Sequence, residues 1–187
     1  MSEVSSNQIQ VYTGYGKGKT TAAVGLLIRA LGKGWPVALV QFDKGYDGKN
    51  EHYAERHILR QFKLLKLYPT GCERMLKSGK FRFKNMPRDF AEAQRGLNLA
   101  HSLIEKKSVK LLVLDEFLAA FMCKLLTEAE LLGLIDAYEA AGRPCELVLT
   151  GHQLPSKLAE RVDLITEMRK EKHYFDKGLE AREGIEY

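Results

Sequence analysis

Between Thr13 and Thr21 the chain reads Thr-Gly-Tyr-Gly-Lys-Gly-Lys-Thr-Thr. Glycines at 14, 16 and 18 let a backbone turn tightly enough for successive N–H groups to face one anion. Lys19 adds a mobile positive charge, and the Thr20 hydroxyl next to it is placed to ligate a divalent cation. A helix beginning after Gly18 contributes the positive end of its dipole. Together these make a polyphosphate cradle. It ends in the Gly-Lys-Thr of a Walker A loop, although the usual first glycine is here Thr13. Gly14, Tyr15, Gly16, Lys17, Gly18, Lys19, Thr20 and Thr21 are the residues expected around the phosphates. Lys17 suits a phosphate contact and a solvated loop lysine equally well. The plainer reading is a glycine turn with incidental lysines. The apolar strand before the loop and the Ala-rich helix after it argue against that.

A second constellation is Leu111-Leu112-Val113-Leu114-Asp115-Glu116. Carboxylates at the end of a buried strand resemble a Walker B motif, where one of them holds Mg²⁺ directly or through water. Spacing alone leaves open whether Asp115 or Glu116 touches the metal. The two motifs together point to Mg²⁺ and a nucleoside triphosphate, and they leave open what is done with it.

These residues need elements to position them. Apolar β-branched runs alternate with longer amphipathic stretches, which predicts an α/β fold: a mostly parallel sheet flanked by helices, of the P-loop NTPase (RecA-like) kind. Strands are expected over 9–13, 37–42, 110–114, 145–150 and 162–166, with a weaker one over 63–68. Helices are expected over about 19–31, from Pro87 to about 106, and from a Thr127/Glu130 capping box to about Gly142. The helix from Pro87 should bury Phe90, Ala93, Leu97 and Ala100 or His101. Residues 70–88 read as an irregular loop, functional or mobile. No repeat or linker interrupts the chain, so residues 1–187 are expected to form one domain.

Composition narrows the classes. The 187 residues are 45% apolar, 28% charged and 9% aromatic, enough for a real core and unlike disordered or collagen-like chains. Twenty-nine Lys and Arg against twenty-four Asp and Glu leave a formal charge of +5, scattered without a run. That excess attracts anions generally, and phosphorylated small molecules satisfy it as well as nucleic acid, for which stacked exposed aromatics are lacking. Cys72, Cys123 and Cys145 form no C-x-x-C pair and are expected to be reduced thiols. No apolar run is long enough to span a bilayer and no apolar leader opens the chain, so a cytoplasmic protein without a membrane partner is expected.

Further segments carry a resemblance. Gly14 through Gly25, then Val40-Gln41-Phe42-Asp43-Lys44-Gly45, then Leu114-Asp115-Glu116, resemble the P-loop ATP:corrinoid adenosyltransferases. So do Leu149-Thr150-Gly151-His152, Ala159 to Asp163, Thr166-Glu167, Lys172 to Gly178 and the closing Gly184-Ile185-Glu186-Tyr187. The resemblance implies ATP as co-substrate, Mg²⁺, and a reduced Co(I) corrinoid as acceptor of the 5′-deoxyadenosyl group, with inorganic triphosphate released. It implies Lys19, Thr20 and Glu116 as the catalytic set, with Thr20 and Glu116, or alternatively Asp115, on the metal. Arg29 and Lys44 become weaker candidates for binding ATP or the corrinoid, each equally readable as a solvated surface residue. His173 is a candidate for the corrin's surroundings, or an ordinary hydrogen-bonded histidine. A homodimer and an electron-donor flavoprotein are implied as partners.

The chain departs from that pattern in three places. The segment before Ile9 is short. Thr70-Gly71-Cys72-Glu73-Arg74 stands where well-known members carry Thr-Gly-Phe-x-Trp, an aromatic pair that helps free cobalt of its lower ligand. Phe81 or Phe83 is a candidate to substitute for that pair, and is equally explained as a residue packed in the core. His152 stands where an arginine is usual. Two other readings compete: a small kinase or ATPase releasing or transferring the γ-phosphate, and a non-catalytic corrinoid or nucleotide carrier. Residues 70–88 and the tail after Lys170 are expected to order around the corrinoid, so that loss of 171–187 would harm corrinoid use more than ATP binding.

Overall fold

The computed structural model describes residues 6–45, 51–74 and 82–187. Six strands, β1 (Ile9–Thr13), β2 (Val37–Gln41), β3 (Leu65–Pro69), β4 (Leu111–Asp115), β5 (Glu146–Thr150) and β6 (Leu164–Glu167), form one sheet in the order β3-β2-β4-β5-β1-β6. Every pairing is parallel. The strands expected over 37–42, 110–114 and 145–150 are each found within one residue of those limits, and the weak one over 63–68 is β3.

A parallel sheet needs cover on both faces, and the central strands β2, β4 and β5 are apolar on both. Val37, Leu39, Leu111, Val113 and Val148 pack toward α1 (Lys19–Gly32) with Ala23, Leu27 and Ala30. Their alternates Ala38, Val40, Leu112, Leu114, Leu147 and Leu149 face α3 (Pro87–Lys106) and α5 (Glu128–Ala140). Pro87 opens α3, and the Asp89 carboxylate accepts the Met86 N–H at 2.7 Å to cap it. The Thr127/Glu130 capping box starts α5. Phe90 is 44% exposed, contrary to expectation. The buried stripe of α3 runs instead through Asp89, Ala93, Gly96, Leu97, Ala100, Leu103 and Ile104. Gly96 belongs to it because the Phe42 ring lies within 2.7 Å of where a Cβ would stand.

Three short helices, α2 (Glu55–Leu59), α4 (Phe117–Met122) and α6 (Ser156–Ala159), have no counterpart in the sequence reading. The three cysteines are free; Cys145 is buried and the others half-buried. No helix among the described residues is long and apolar enough to cross a membrane.

Candidate active site

In this strand order the carboxyl ends of β1, β2, β4 and β5 lie along one edge, where an open α/β sheet binds ligands. The loop after β1 turns through Gly14 (φ 99°) and Gly18 (φ 118°), conformations that favour glycine. A Cβ on Gly14 or Gly16 would lie 2.6 Å from the Met168 carbonyl, so both glycines are also needed for the loop to pack on the chain leaving β6. Gly16 N–H donates to Met168 O at 2.7 Å and Gly14 N–H to His152 O at 3.2 Å. α1 then starts at Lys19 with no side-chain cap and no acidic residue in its first turn. Its first N–H groups, which no helix can satisfy internally, are left for an anion.

Lys19 is buried, its ammonium donating to Gly14 O at 2.7 Å and Gly16 O at 2.9 Å. Burial pulls its pKa down, against the upward pull of Glu116 and Asp115. Thr20 Oγ1 donates to Asp115 Oδ1 at 2.9 Å. Lys44 Nζ bridges the same two side chains, 3.0 Å from Thr20 Oγ1 and 2.7 Å from Asp115 Oδ2. Thr150 Oγ1 donates to Asp115 Oδ1 at 2.8 Å and Gln41 Nε2 to Oδ2 at 3.3 Å. Asp115 is fully buried; burial would raise its carboxyl, but the charge of Lys44 and these hydrogen bonds hold it below the ordinary carboxylate range. The same carboxylate, with Glu116, outweighs burial at Lys44 and keeps that ammonium's pKa raised.

The adjacent Glu116 is in a different state. Its backbone is left-handed (φ 58°), its N–H donates to Thr150 Oγ1 at 2.8 Å, and its side chain lines a cavity. Burial, then the charge of Asp115, raises its pKa. The cavity, about 530 Å³, is bounded by Lys17, Gly18, Lys19, Thr20, Thr21, Lys44, Tyr53 and Glu116, and on its remaining side by residues 184–187.

Several residues of the network around Asp115 were not singled out by sequence. Arg56, fully buried, donates to Gln41 Oε1 at 2.6 Å, Glu51 Oε1 at 2.9 Å and Lys44 O at 2.7 Å, and its guanidinium lies 4.4 Å from the centre of the Tyr53 ring. Gln41, in turn, reaches Asp115, so one polar network runs from Glu51 to Thr20. Gln41 and Thr150 each end a strand beside Asp115, a signal available once strand order is known.

The candidates do not all converge. Arg29 lies near the far end of α1, lining a separate groove with Trp35, Lys33 and Glu146. Lys17 turns to the tail: its ammonium donates to Ile185 O at 2.9 Å and lies 3.7 Å from Glu186 Oε1. His173 accepts the Phe175 N–H and caps a short 3₁₀ turn. His152 stacks on Tyr15 with ring centres 5.4 Å apart, and its buried Nδ1 has no hydrogen-bond partner. Arg74 is buried in an ion pair with Asp43 at 2.7 Å, Phe83 is 85% exposed, and Phe81 lies outside the described residues.

A sequence model of the family described as ATP:corrinoid adenosyltransferase BtuR/CobO/CobP matches residues 5–187. The chain belongs to that family. It is 32% identical over 180 residues to the corrinoid adenosyltransferase of a Sinorhizobium species, covering 96% of this chain and 79% of that one. It is also 32% identical to the corrinoid adenosyltransferase of Pseudomonas aeruginosa (95% and 82% covered) and 31% identical to that of Escherichia coli K12 (96% and 85%). Family membership makes the chain an enzyme of the transferase class. The KaiC-like protein PH0186 of Pyrococcus horikoshii superposes with a TM-score of 0.54 at 14% identity, over 89% of this chain and 74% of that one, which shows a shared RecA-like fold alone.

Proposed function

We propose that the chain transfers the 5′-deoxyadenosyl group of ATP to the cobalt of a Co(I) corrinoid and releases triphosphate. The observation that carries the reading is the Lys19–Thr20–Asp115–Lys44 cluster beside a cavity of nucleotide size, in a chain of this family. Co(I) is the nucleophile: the Co–C5′ bond forms as the C5′–O5′ bond breaks, and the triphosphate leaves with the electron pair. Such a reaction needs no protein base, only positioning and stabilisation of charge growing on the leaving group. Lys19 and the open N–H groups of α1 supply that stabilisation, in a site where burial strengthens each interaction.

The residues present suit Mg²⁺. Lys44 already stands as the cation between Thr20 and Asp115, and the oxygens of Asp115 are taken by protein donors. The cavity-lining Glu116 carboxylate and the Thr20 hydroxyl are therefore the pair that would hold the metal, with Asp115 orienting Thr20 and Lys44. When bound, Mg²⁺ would neutralise part of the triphosphate charge. The homodimer and the flavoprotein electron donor belong to the same proposal, and for these the support is the family resemblance.

Phosphorus NMR of the products tests the reaction. One equivalent of intact triphosphate per corrinoid alkylated is expected; ADP with phosphate would favour a kinase or ATPase.

A further inference from the structure

Residues 184–187 form a built part of the cavity. Gly184, Ile185, Glu186 and Tyr187 all line it, opposite the P-loop and Val24. They are held in a tight turn around one carboxylate. Glu186 accepts the Arg182 N–H at 2.8 Å and the Arg182 side chain at 3.3 Å, and pairs closely with Tyr174 OH. Gly184 N–H closes the turn on Tyr187 O at 2.7 Å. Among the described residues, the polar contacts between this turn and the P-loop run through Lys17, to Ile185 O and Glu186.

We propose that residues 184–187 are the nucleoside-binding wall of the ATP site, and that Lys17 is a positioning residue that clasps this wall to the P-loop. The inference rests on the nucleotide reading of the cavity and goes beyond it. The P-loop side offers ammonium groups and open N–H groups, which suit phosphate. The turn offers the opposite: a carboxylate, and the side chains of Ile185 and Tyr187, 55% and 38% exposed toward the cavity and solvent. With Glu186 already paired to Arg182 and Lys17, such a surface has no charge left to attract a triphosphate, whereas a base and ribose cover its apolar area. Lys17, with its ammonium already paired to Glu186, adds little charge for phosphate. The same geometry redirects the expectation for the tail, from the corrinoid to the nucleotide.

The test compares ATP with inorganic tripolyphosphate by calorimetry, with Mg²⁺ present, in four proteins: the full chain, a chain lacking residues 184–187, Lys17→Met, and the combination. The full chain should bind both ligands, and failure to bind either would overturn the nucleotide reading and this inference with it. Removal of the wall and Lys17→Met should each weaken ATP about 10-fold, as expected for losing one apolar contact surface. The combination should be no worse than the truncation alone, because a clasp without a wall has no function. Tripolyphosphate affinity should stay within about 2-fold throughout, which also shows that the variants fold. Equal losses for both ligands in Lys17→Met would make Lys17 a phosphate ligand and overturn the proposal. Unchanged ATP affinity in the truncated chain would overturn it too.

Discussion

Asp115 and Glu116 are neighbours in sequence with opposite circumstances, and substitution should separate them. Asp115 is the hub of four side-chain donors in a fully buried position. Asp115→Ala would leave the Lys44 ammonium buried without its nearest counter-charge, and a loss of about 3–5 kcal/mol in stability is expected from chemical denaturation. Glu116→Gln keeps shape and leaves the backbone bond to Thr150 in place. It should change stability by less than about 1 kcal/mol while lowering turnover about 100-fold, the scale for losing one leaving-group stabiliser. Equal damage to folding from both would contradict these roles. Lys19, Thr20 and the acidic pair were legible because a phosphate cradle demands those types at that spacing. The choice between the two acids was not legible, since it depends on Lys44, Gln41 and Thr150 arriving from other strands. Arg56 gave no signal at all: it sits on a five-residue helix, too short for any period.

At the scale of elements, the P-loop depends on what packs behind it. A Cβ on Gly16 would meet Met168 O at 2.6 Å and Arg169 C at 2.8 Å, both backbone atoms. Gly16→Ala should cost about 1–3 kcal/mol and weaken nucleotide binding. Gly25→Ala, in the middle of α1 with open space around it, should instead gain up to about 1 kcal/mol. Thermal melts of the two check this contrast. The start of α3 gives a pH prediction. Hydrogen bonds from Arg82, at 2.6 and 2.9 Å, are the main reason that Asp89 lies far below its ordinary pKa of 3.8, with burial opposing and the Met86 N–H helping. A depressed carboxyl contributes stability above its unfolded value and loses it as pH falls through the folded one. Asp89→Asn should therefore cost about 2 kcal/mol at pH 7, and the gap to the wild type should begin to narrow below about pH 4 and go on shrinking as pH falls toward the folded value. A gap independent of pH would refute the assignment. Long elements were readable from Pro87, the Thr127/Glu130 box and apolar runs. Ala93, Leu97 and Ala100 bury as expected, and Phe90 does not because the first turn of α3 packs through the Asp89 cap and its pair with Arg82, which no helical period reports.

The whole molecule sorts its basic residues by strand order. The parallel sheet gathers Lys19 and Lys44 at its carboxyl edge and leaves Arg29 beside Trp35 in a separate groove. The sequence reading treated Arg29 and Lys44 alike, because distance along a helix and the side of a sheet are not written in residue type. The tail's contact with Lys17 is unwritten in residue type for a related reason: its return to the P-loop depends on β6 pairing beside β1, the last step of the topology. What the assembled site is for can be tested in one anaerobic cuvette holding ATP, Mg²⁺ and chemically reduced cob(I)alamin, followed by its visible spectrum. The account predicts conversion to adenosylcobalamin by the wild type and a rate reduced at least about 100-fold in Lys19→Ala. An unchanged corrinoid spectrum while ATP is converted to ADP would contradict it.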